Sequence, residues 1–247
     1  MSPKPSSGSR VDFFEGSRVA FFGGSFDPPH LGHLAVARAA LIALRLDTVL
    51  FAPVGTQPLK PQGSTASYED RLAMTRLAIA GEPGFSISLA DAPNSTGVPN
   101  YTIVALLNLR AELPPESALF CLMGADSFYG LRDWHRAAEI PFVAPLIVAS
   151  RPAESPGGHI AGLKAALPPG LTMEAAPGED SVVEGIEVRG FTVINQAGDR
   201  APLYLLPGLD VEISASEIRD QLRTEAGTGE LLPDAVAQYV GRRCLYR

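Results

Sequence analysis

A short run near the start of the chain constrains the fold more than any other feature. The run Gly23-Gly24-Ser25-Phe26-Asp27-Pro28-Pro29-His30-Leu31-Gly32-His33-Leu34 follows apolar residues 19–22, which are typical of a buried strand. Beyond the prolines, apolar residues recur at helical spacing through residues 31–44. The sequence therefore predicts a strand, a tight turn made by Gly23 and Gly24, and a helix whose N-terminus points back toward the glycines.

His30 and His33 stand at the predicted start of this helix. Backbone amides at a helix N-terminus attract anions, and two imidazoles at this spacing can reach the same oxygens. Either histidine alone would more often be an ordinary loop residue, but here both occur beside paired glycines and paired prolines. Zinc is less favoured, because Cys121 and Cys244 stand far from this run. The run therefore predicts a phosphate-binding site.

Composition bounds the class of protein. The chain has 247 residues, of which 46% are hydrophobic and 19% charged, which suits one sizeable globular domain. Residues 1–17 are rich in Ser, Pro and Gly and are expected to form a disordered leader. No apolar run approaches the roughly 20 residues of a membrane span, and the 2 cysteines suit a reducing compartment, so a cytoplasmic location is expected. The net charge of −7 argues against a nucleic-acid polymer as partner but not against ATP.

Strand and helix patterns alternate along residues 18–247. Strands are predicted at 48–52, 85–89, 119–123 and 144–149, and helices at 67–78, 101–109, 135–140 and from Glu217 onward. This order predicts a doubly wound, mainly parallel, Rossmann-like α/β sheet flanked by helices. In such a sheet ligands bind beyond the carboxyl ends of the strands, so Gly23-Gly24 and Gly124-Ala125-Asp126 are expected to share one cleft.

Residues 152–200 are less regular and are expected to form an insertion on the single domain. Within them, residues 184–188 and 191–194 predict the two strands of a hairpin.

A second candidate anion site lies near the other end of the chain. In Ile213-Ser214-Ala215-Ser216-Glu217-Ile218-Arg219 two hydroxyls immediately precede the final helical pattern. Taken alone, Ser214 and Ser216 would be helix caps.

These motifs resemble those of a known superfamily. The first run resembles the (Thr/His)-x-Gly-His signature of nucleotidyltransferases, and its Pro-Pro-His form is similar to bacterial nicotinate-nucleotide adenylyltransferases. The Ile213 to Arg219 stretch is similar to the Ile-Ser-x-(Ser/Thr)-x-Ile-Arg element of the same enzymes, and Gly124-Ala125-Asp126-Ser127 resembles their Gly-x-Asp-Ser turn.

The resemblance implies an ATP site and its catalytic groups. His30, His33 and Arg219 would stabilise charge on the departing pyrophosphate, and Mg²⁺ would be held mainly by the substrate phosphates rather than by a protein metal site. The implied ATP-binding residues are Gly23, Gly24, Ser25, Phe26, His30, His33, Gly124, Asp126, Ser214, Ser216, Ile218 and Arg219.

The resemblance also implies a mononucleotide site, in which Trp134, the only tryptophan, would stack on a pyridine ring. Asn100 and Leu59 depart from the family's usual serine and histidine, and Arg71 falls at a family-like position. The implied mononucleotide-binding residues are Ser25, Phe26, Lys60, Tyr101, Thr102, Trp134, His135 and Arg151.

The implied reaction is adenylyl transfer from ATP to nicotinate mononucleotide, giving deamido-NAD and pyrophosphate. The same transfer to nicotinamide mononucleotide or to a phosphopantetheine stays open at this point, as does a non-catalytic nucleotide-binding regulator. A dinucleotide-dependent dehydrogenase is disfavoured because the Gly-x-Gly-x-x-Gly fingerprint is absent after the first strand. A homo-oligomer is also left open.

Overall fold

The computed structural model describes residues 13–58, 63–94, 97–150, 156–209, 213–224 and 231–247. Two predicted site residues, Lys60 and Arg151, lie outside these ranges, as do residues 1–12 of the predicted leader. In residues 13–17, the Ser17 hydroxyl accepts the Phe14 amide and donates to the Phe14 carbonyl, forming a turn just before the first strand.

The described strands form one mixed sheet in the order β3-β2-β1-β4-β5-β9-β8-β6, with β7 paired to β8. The first six strands in this order are parallel, and β8 and β6 continue the sheet in antiparallel fashion. The strands are β1 (Arg18–Gly24), β2 (Thr48–Pro53), β3 (Phe85–Ile87), β4 (Ala118–Gly124), β5 (Leu146–Ala149), β6 (Thr172–Ala175), β7 (Ser181–Val183), β8 (Ile186–Ile194) and β9 (Arg200–Leu206).

Helices cover both faces of this sheet. They are α1 (Leu31–Ala43), α2 (Tyr68–Ala78), α3 (Thr102–Glu112), α4 (Ala125–Tyr129), α5 (Ile140–Val143), α6 (Pro156–Ala166), α7 (Ala215–Arg223) and α8 (Asp234–Arg243). Short 3₁₀ turns occur at Leu131–Asp133, Ala137–Glu139 and Pro177–Glu179. The predicted doubly wound α/β fold is confirmed.

The alternation of side chains along β1 explains the two layers. Val19 and Phe21 enter one apolar cluster with residues of α3, α5 and α6, while Ala20 and Phe22 enter another with residues of α1, α2, α7 and α8. Because successive side chains of a strand point to opposite faces, a strand covered on both sides must be apolar throughout. This is why residues 19–22 read as a continuous apolar run.

The predicted hairpin at residues 184–188 and 191–194 is wrong. These residues belong mostly to one strand, β8, which pairs with β9 from Arg189 to Ile194. The hairpin instead joins β7 to β8 through Glu184 and Gly185, whose φ angles of 49° and 81° suit a two-residue hairpin turn. Gly190 continues the strand, since it pairs with Tyr204 of β9, and its amide donates to the Asp180 carboxylate at 2.8 Å.

Residues in the predicted insertion carry the sheet past β9. Here β8 lies between β9 and β6, and Val188, Phe191 and Val193 bury their side chains in the two apolar clusters. Within the described residues, no helix has both the length and the apolar character needed to cross a bilayer.

Candidate active site

A cleft opens at the carboxyl ends of β1 and β4, where the strand order reverses. In doubly wound sheets this reversal is where ligands bind. The cleft has two lobes of about 680 Å³ and 510 Å³, which we call the first lobe and the second lobe. The lobes share the lining residues Gly23, Gly24, Ser25, Asp126 and Ser127. The loops after β1 and β4 therefore meet in one cleft, as their order along the chain predicts.

The chain bends at Asp27 and Pro28, not at the glycines before them. Gly23 and Gly24 are the last residues of β1 and pair with Ala52 and Pro53 of β2, so their predicted role as a tight turn is wrong. Phe26 takes the left-handed φ of 47°. A Cβ at Gly23 would lie 2.7 Å from the Phe21 ring, so glycine is needed there for close packing.

The helix α1 begins at the first lobe with both histidines. His30 is its N-cap residue and His33 lies one turn inside, with ring centroids 3.7 Å apart. The His30 amide donates to His33 Nδ1 at 3.2 Å. Because Nδ1 accepts this bond, the neutral His33 ring carries its proton on Nε2, which remains a donor for an anion.

Both imidazoles are held neutral in the cleft. Burial lowers the pKa of His30 to about 4. Burial, and secondarily His30, hold the pKa of His33 well below its usual value. An anion bound here would favour the charged imidazolium forms, because an opposite charge raises a histidine pKa.

A second helix start faces the same lobe. Ser214 caps α7 by accepting the Ser216 amide at 3.2 Å, and residues 213–216 line the first lobe. Arg219, one turn into the helix, donates from Nη2 to Ser216 Oγ at 3.1 Å and from Nη1 to the Asp27 carbonyl at 2.8 Å. The first lobe thus combines two helix N-termini, two imidazoles and a guanidinium, a set of groups suited to polyphosphate.

Ile218 does not reach the cleft. Its side chain is fully buried in the apolar cluster beneath α7, and its amide donates to the Ser214 carbonyl. The helical period explains this: successive residues are about 100° apart around the helix, so Ile218 points to the packed side of α7 while Arg219 points toward the lobe. The Ile218 side chain thus belongs to the core, and the implied ATP-binding role of this residue stays a prediction.

Phe26 lines the first lobe and not the second, so its implied place in the mononucleotide site stays a prediction. Its ring packs against Phe22, Phe51 and His33, and only 1% of the residue is exposed. Phe26 has a left-handed backbone, and its ring points inward and packs against the His33 ring.

Arg71 is buried and fixes the loops around the cleft. It donates to the Ser25 carbonyl at 2.7 Å, the Val54 carbonyl at 2.8 Å and the Ala66 carbonyl at 3.3 Å. Since it is only 2% exposed and lines neither lobe, it acts on the loop backbones rather than on a ligand.

The second lobe is more aromatic. Tyr101 and His135 lie in tilted contact with ring centroids 4.4 Å apart, and Trp134 packs partly against the core. Thr102 begins α3 and lines the same lobe. Asn100, which the sequence marked as a departure, braces the neighbouring loop: its Oδ1 accepts the Thr56 amide and its Nδ2 donates to the Ala92 carbonyl.

Two buried polar groups in the cleft were not anticipated. Asp91 lines the second lobe with its Oδ1 atom unpaired among the described residues, and burial raises the pKa of this carboxyl to about 7. Ser150, at the end of β5, lines the first lobe and its hydroxyl is likewise unpaired in the described part of the chain. Asp91 follows a short strand and belongs to no motif, so no sequence signal marked it.

The other predicted site residues come together as expected. Gly23, Gly24, Ser25, His30, His33, Gly124, Asp126, Ser214, Ser216 and Arg219 line the first lobe, and Ser25, Tyr101, Thr102, Trp134 and His135 line the second. Their individual roles stay predictions. Within the described ranges no cluster of three or more His, Cys, Asp or Glu side chains could hold a metal ion.

The fold and the first lobe define a nucleotidyltransferase. The sequence profile of the cytidylyltransferase-like family matches residues 21–221. The fold is shared with Plasmodium falciparum nicotinic acid mononucleotide adenylyltransferase complexed with NaAD, with a TM-score of 0.63 at 16% identity over 93% of this chain and 97% of that one.

The sequence relatives identify the particular family. A probable nicotinate-nucleotide adenylyltransferase of Laribacter hongkongensis is 39% identical over 93% of this chain and 94% of its own length. Another from Herpetosiphon aurantiacus is 32% identical over 93% and 98%. The chain belongs to the nicotinate-nucleotide adenylyltransferase family.

Proposed function

We propose that the protein transfers the adenylyl group of ATP to nicotinate mononucleotide, forming deamido-NAD and pyrophosphate. One observation carries the proposal: a polar lobe with two helix N-termini and an aromatic lobe meet at Ser25 and Asp126. The first lobe suits a triphosphate and the second a flat pyridine ring. The Plasmodium falciparum enzyme of the same fold, whose structure is a complex with NaAD, supports this pairing of substrates.

In the reaction an oxygen of the mononucleotide 5′-phosphate bonds to the α-phosphorus of ATP while the bond from that phosphorus to the bridging oxygen breaks. The electron pair of this bond leaves with pyrophosphate. The attacking phosphate is already an anion, so no general base is needed. Catalysis then depends on alignment and on donors directed at the leaving group. We assign those donors to His33 Nε2, the His30 ring and the Arg219 guanidinium.

Mg²⁺ fits this site when it is bound to ATP rather than to a set of protein ligands. The Asp27 carboxylate, which lines the first lobe, already accepts two amides and a tyrosine hydroxyl. Mg²⁺ would therefore be held mainly by ATP phosphates and water, where it would neutralise part of their charge.

The cysteines of the chain bear on its cellular location. We infer a cytoplasmic location because both cysteines are free thiols, with Cys121 buried in β4. Self-association stays a prediction, which sedimentation of the purified protein would test.

The deciding experiment supplies ATP and Mg²⁺ with one acceptor at a time and follows pyrophosphate release. Nicotinate mononucleotide should support turnover in preference to nicotinamide mononucleotide and phosphopantetheine. Turnover with phosphopantetheine alone would refute the proposal, and ATP binding without turnover on any acceptor would favour a regulator.

Replacing His33 by alanine tests the catalytic assignment. We expect kcat to fall by about 100-fold, because a donor to developing charge is worth roughly 2–4 kcal/mol. Circular dichroism and urea unfolding would verify that the fold is intact. Undiminished dinucleotide formation by a folded variant would contradict the role of His33.

Replacing Trp134 by alanine tests the division between the lobes. Loss of aromatic and cation-π contact with a pyridinium should weaken mononucleotide binding by about tenfold, since such contacts contribute roughly 1–2 kcal/mol. Calorimetry with a non-hydrolysable ATP analogue supplies the internal control, because its affinity should stay within about twofold. Equal weakening of both ligands would count against stacking.

A further inference from the structure

The Asp27 side chain joins parts of the molecule that are far apart in sequence. Its Oδ2 accepts the Thr65 amide at 2.6 Å, and its Oδ1 accepts the Ala66 amide at 3.0 Å and the Tyr246 hydroxyl at 2.7 Å. Asp27 is only 4% exposed, so these donors replace the water that a carboxylate would otherwise bind.

The same residue holds the guanidinium of the first lobe. The Asp27 carbonyl accepts Arg219 Nη1 at 2.8 Å, and Gly63, Ser64 and Thr65 line that lobe beside it. Displacement of Asp27 would therefore disturb both the loop at residues 63–66, which its carboxylate holds, and the guanidinium, which its main-chain carbonyl holds.

The chain bends sharply to bring Tyr246 to this point. After α8, Cys244 and Tyr246 both adopt left-handed backbone conformations, with φ angles of 51° and 66°. These conformations are unfavourable for residues with a Cβ, so the surrounding contacts must over-determine them. Tyr246 is only 7% exposed, and its ring joins the apolar cluster that contains Phe26 and Ile218. Burial, with the Asp27 carboxylate beside it, raises the pKa of the Tyr246 hydroxyl, which therefore stays a donor.

We propose that Tyr246 is a positioning residue for ATP: through Asp27 its hydroxyl fixes Arg219 and the loop at residues 63–66 on the triphosphate. The inference rests on the proposed function in that it takes ATP as the occupant of the first lobe. Tyr246 itself lines neither lobe and touches no substrate in this arrangement. Removing the hydroxyl leaves the carboxylate held by the Thr65 and Ala66 amides, so Asp27 is fixed less firmly.

The variant Tyr246→Phe removes the hydroxyl and keeps the ring. We expect the dissociation constant of a non-hydrolysable ATP analogue, measured by calorimetry, to rise about tenfold, because a hydrogen bond to a charged group is lost. That of nicotinate mononucleotide should change less than about twofold, since the second lobe is untouched. In an Arg219→Ala background the effect of Tyr246→Phe should shrink to less than about threefold, because both changes act on one network.

Tyr239 provides a matched control on α8. Its hydroxyl donates to Asp70 Oδ1 at 2.9 Å, but neither residue lines a lobe of the cleft. Tyr239→Phe thus loses the same kind of bond, and we expect stability to fall as in Tyr246→Phe while the analogue binds as tightly as before.

Three results would overturn the inference: wild-type affinity of Tyr246→Phe for the analogue, equal weakening of both substrates, or an equal loss in Tyr239→Phe. If Tyr246→Phe fails to fold, Asp27→Asn replaces it, and unchanged analogue binding by that variant has the same meaning. Because analogue binding needs no acceptor, these outcomes are separate from the turnover test of the proposed function.

Discussion

Replacing His30 by glutamine should make the fold less sensitive to acid. Burial lowers the pKa of His30 from 6.5 to about 4 in the folded protein, whereas the unfolded chain retains the ordinary value. Between these pH values the unfolded state binds more protons, so the free energy of unfolding falls as pH drops through this window. One pKa unit corresponds to about 1.4 kcal/mol, so His30 alone should cost about 3 kcal/mol by pH 4.

Urea unfolding of the wild type and of His30→Gln at intervals from pH 8 to pH 4 measures this contribution of His30 to the free energy of unfolding. Subtracting the two curves cancels the carboxylates that both proteins share, and their difference should grow below pH 6.5 in favour of the variant. Glutamine keeps a polar side chain at the N-cap but does not titrate. The lowered pKa of His33 acts in the same direction in both proteins, although it also depends on His30.

Parallel pH curves for the two proteins would refute the reasoning. They would mean that His30 is hydrated in solution and carries a proton as easily as in the unfolded chain. The first lobe could not then hold two neutral imidazoles ready for an anion.

Two further outcomes test the packing around the cleft. Arg71→Met removes hydrogen bonds to four loop carbonyls and should lower the free energy of unfolding by about 3–5 kcal/mol. Arg76→Met on the exposed side of α2 should change it by less than about 0.5 kcal/mol, and equal losses in urea titrations would contradict the role of Arg71. Burial raises the pKa of the Cys121 thiol to about 12, whereas Cys244 is exposed. A thiol reagent at pH 8 should therefore label Cys244 rapidly and Cys121 only after unfolding. Rapid labelling of both cysteines in the native protein would contradict this prediction.

Local patterns in the sequence predicted much of the fold. Apolar runs marked β1, β2, β4 and β5, and helical spacing marked α1 and α2, because two-sided burial and the helical period leave their traces within a few residues. The position of the turn after β1 could not be predicted from these local patterns. Gly23-Gly24 suggested a tight turn, but both residues extend β1 and the chain bends only at Asp27 and Pro28. Phe26, just before this bend, has a left-handed backbone and packs its ring onto Phe51, a tertiary contact that local patterns do not reveal.

The site residues likewise fall into two groups, those that local motifs predicted and those that only the tertiary structure revealed. Residues in contiguous motifs, such as His30, His33 and Ser214, could be named in advance because each helix start carries its own phosphate-binding groups. Asp91 and Tyr246 could not, since a buried polar group matters through partners that are distant in sequence. Ile218 shows the converse: a motif residue that the helical period turns away from the cleft.

The sequence by itself determined the parallel α/β class, the two helix starts and the family, because each of these is written in short-range periodicity or in a contiguous motif. Only the tertiary structure decided that Asp27 holds Arg219, the loop at residues 63–66 and Tyr246 together. A carboxylate binds whichever donors lie near it in space, and Tyr246 and Asp27 are 219 positions apart in the chain.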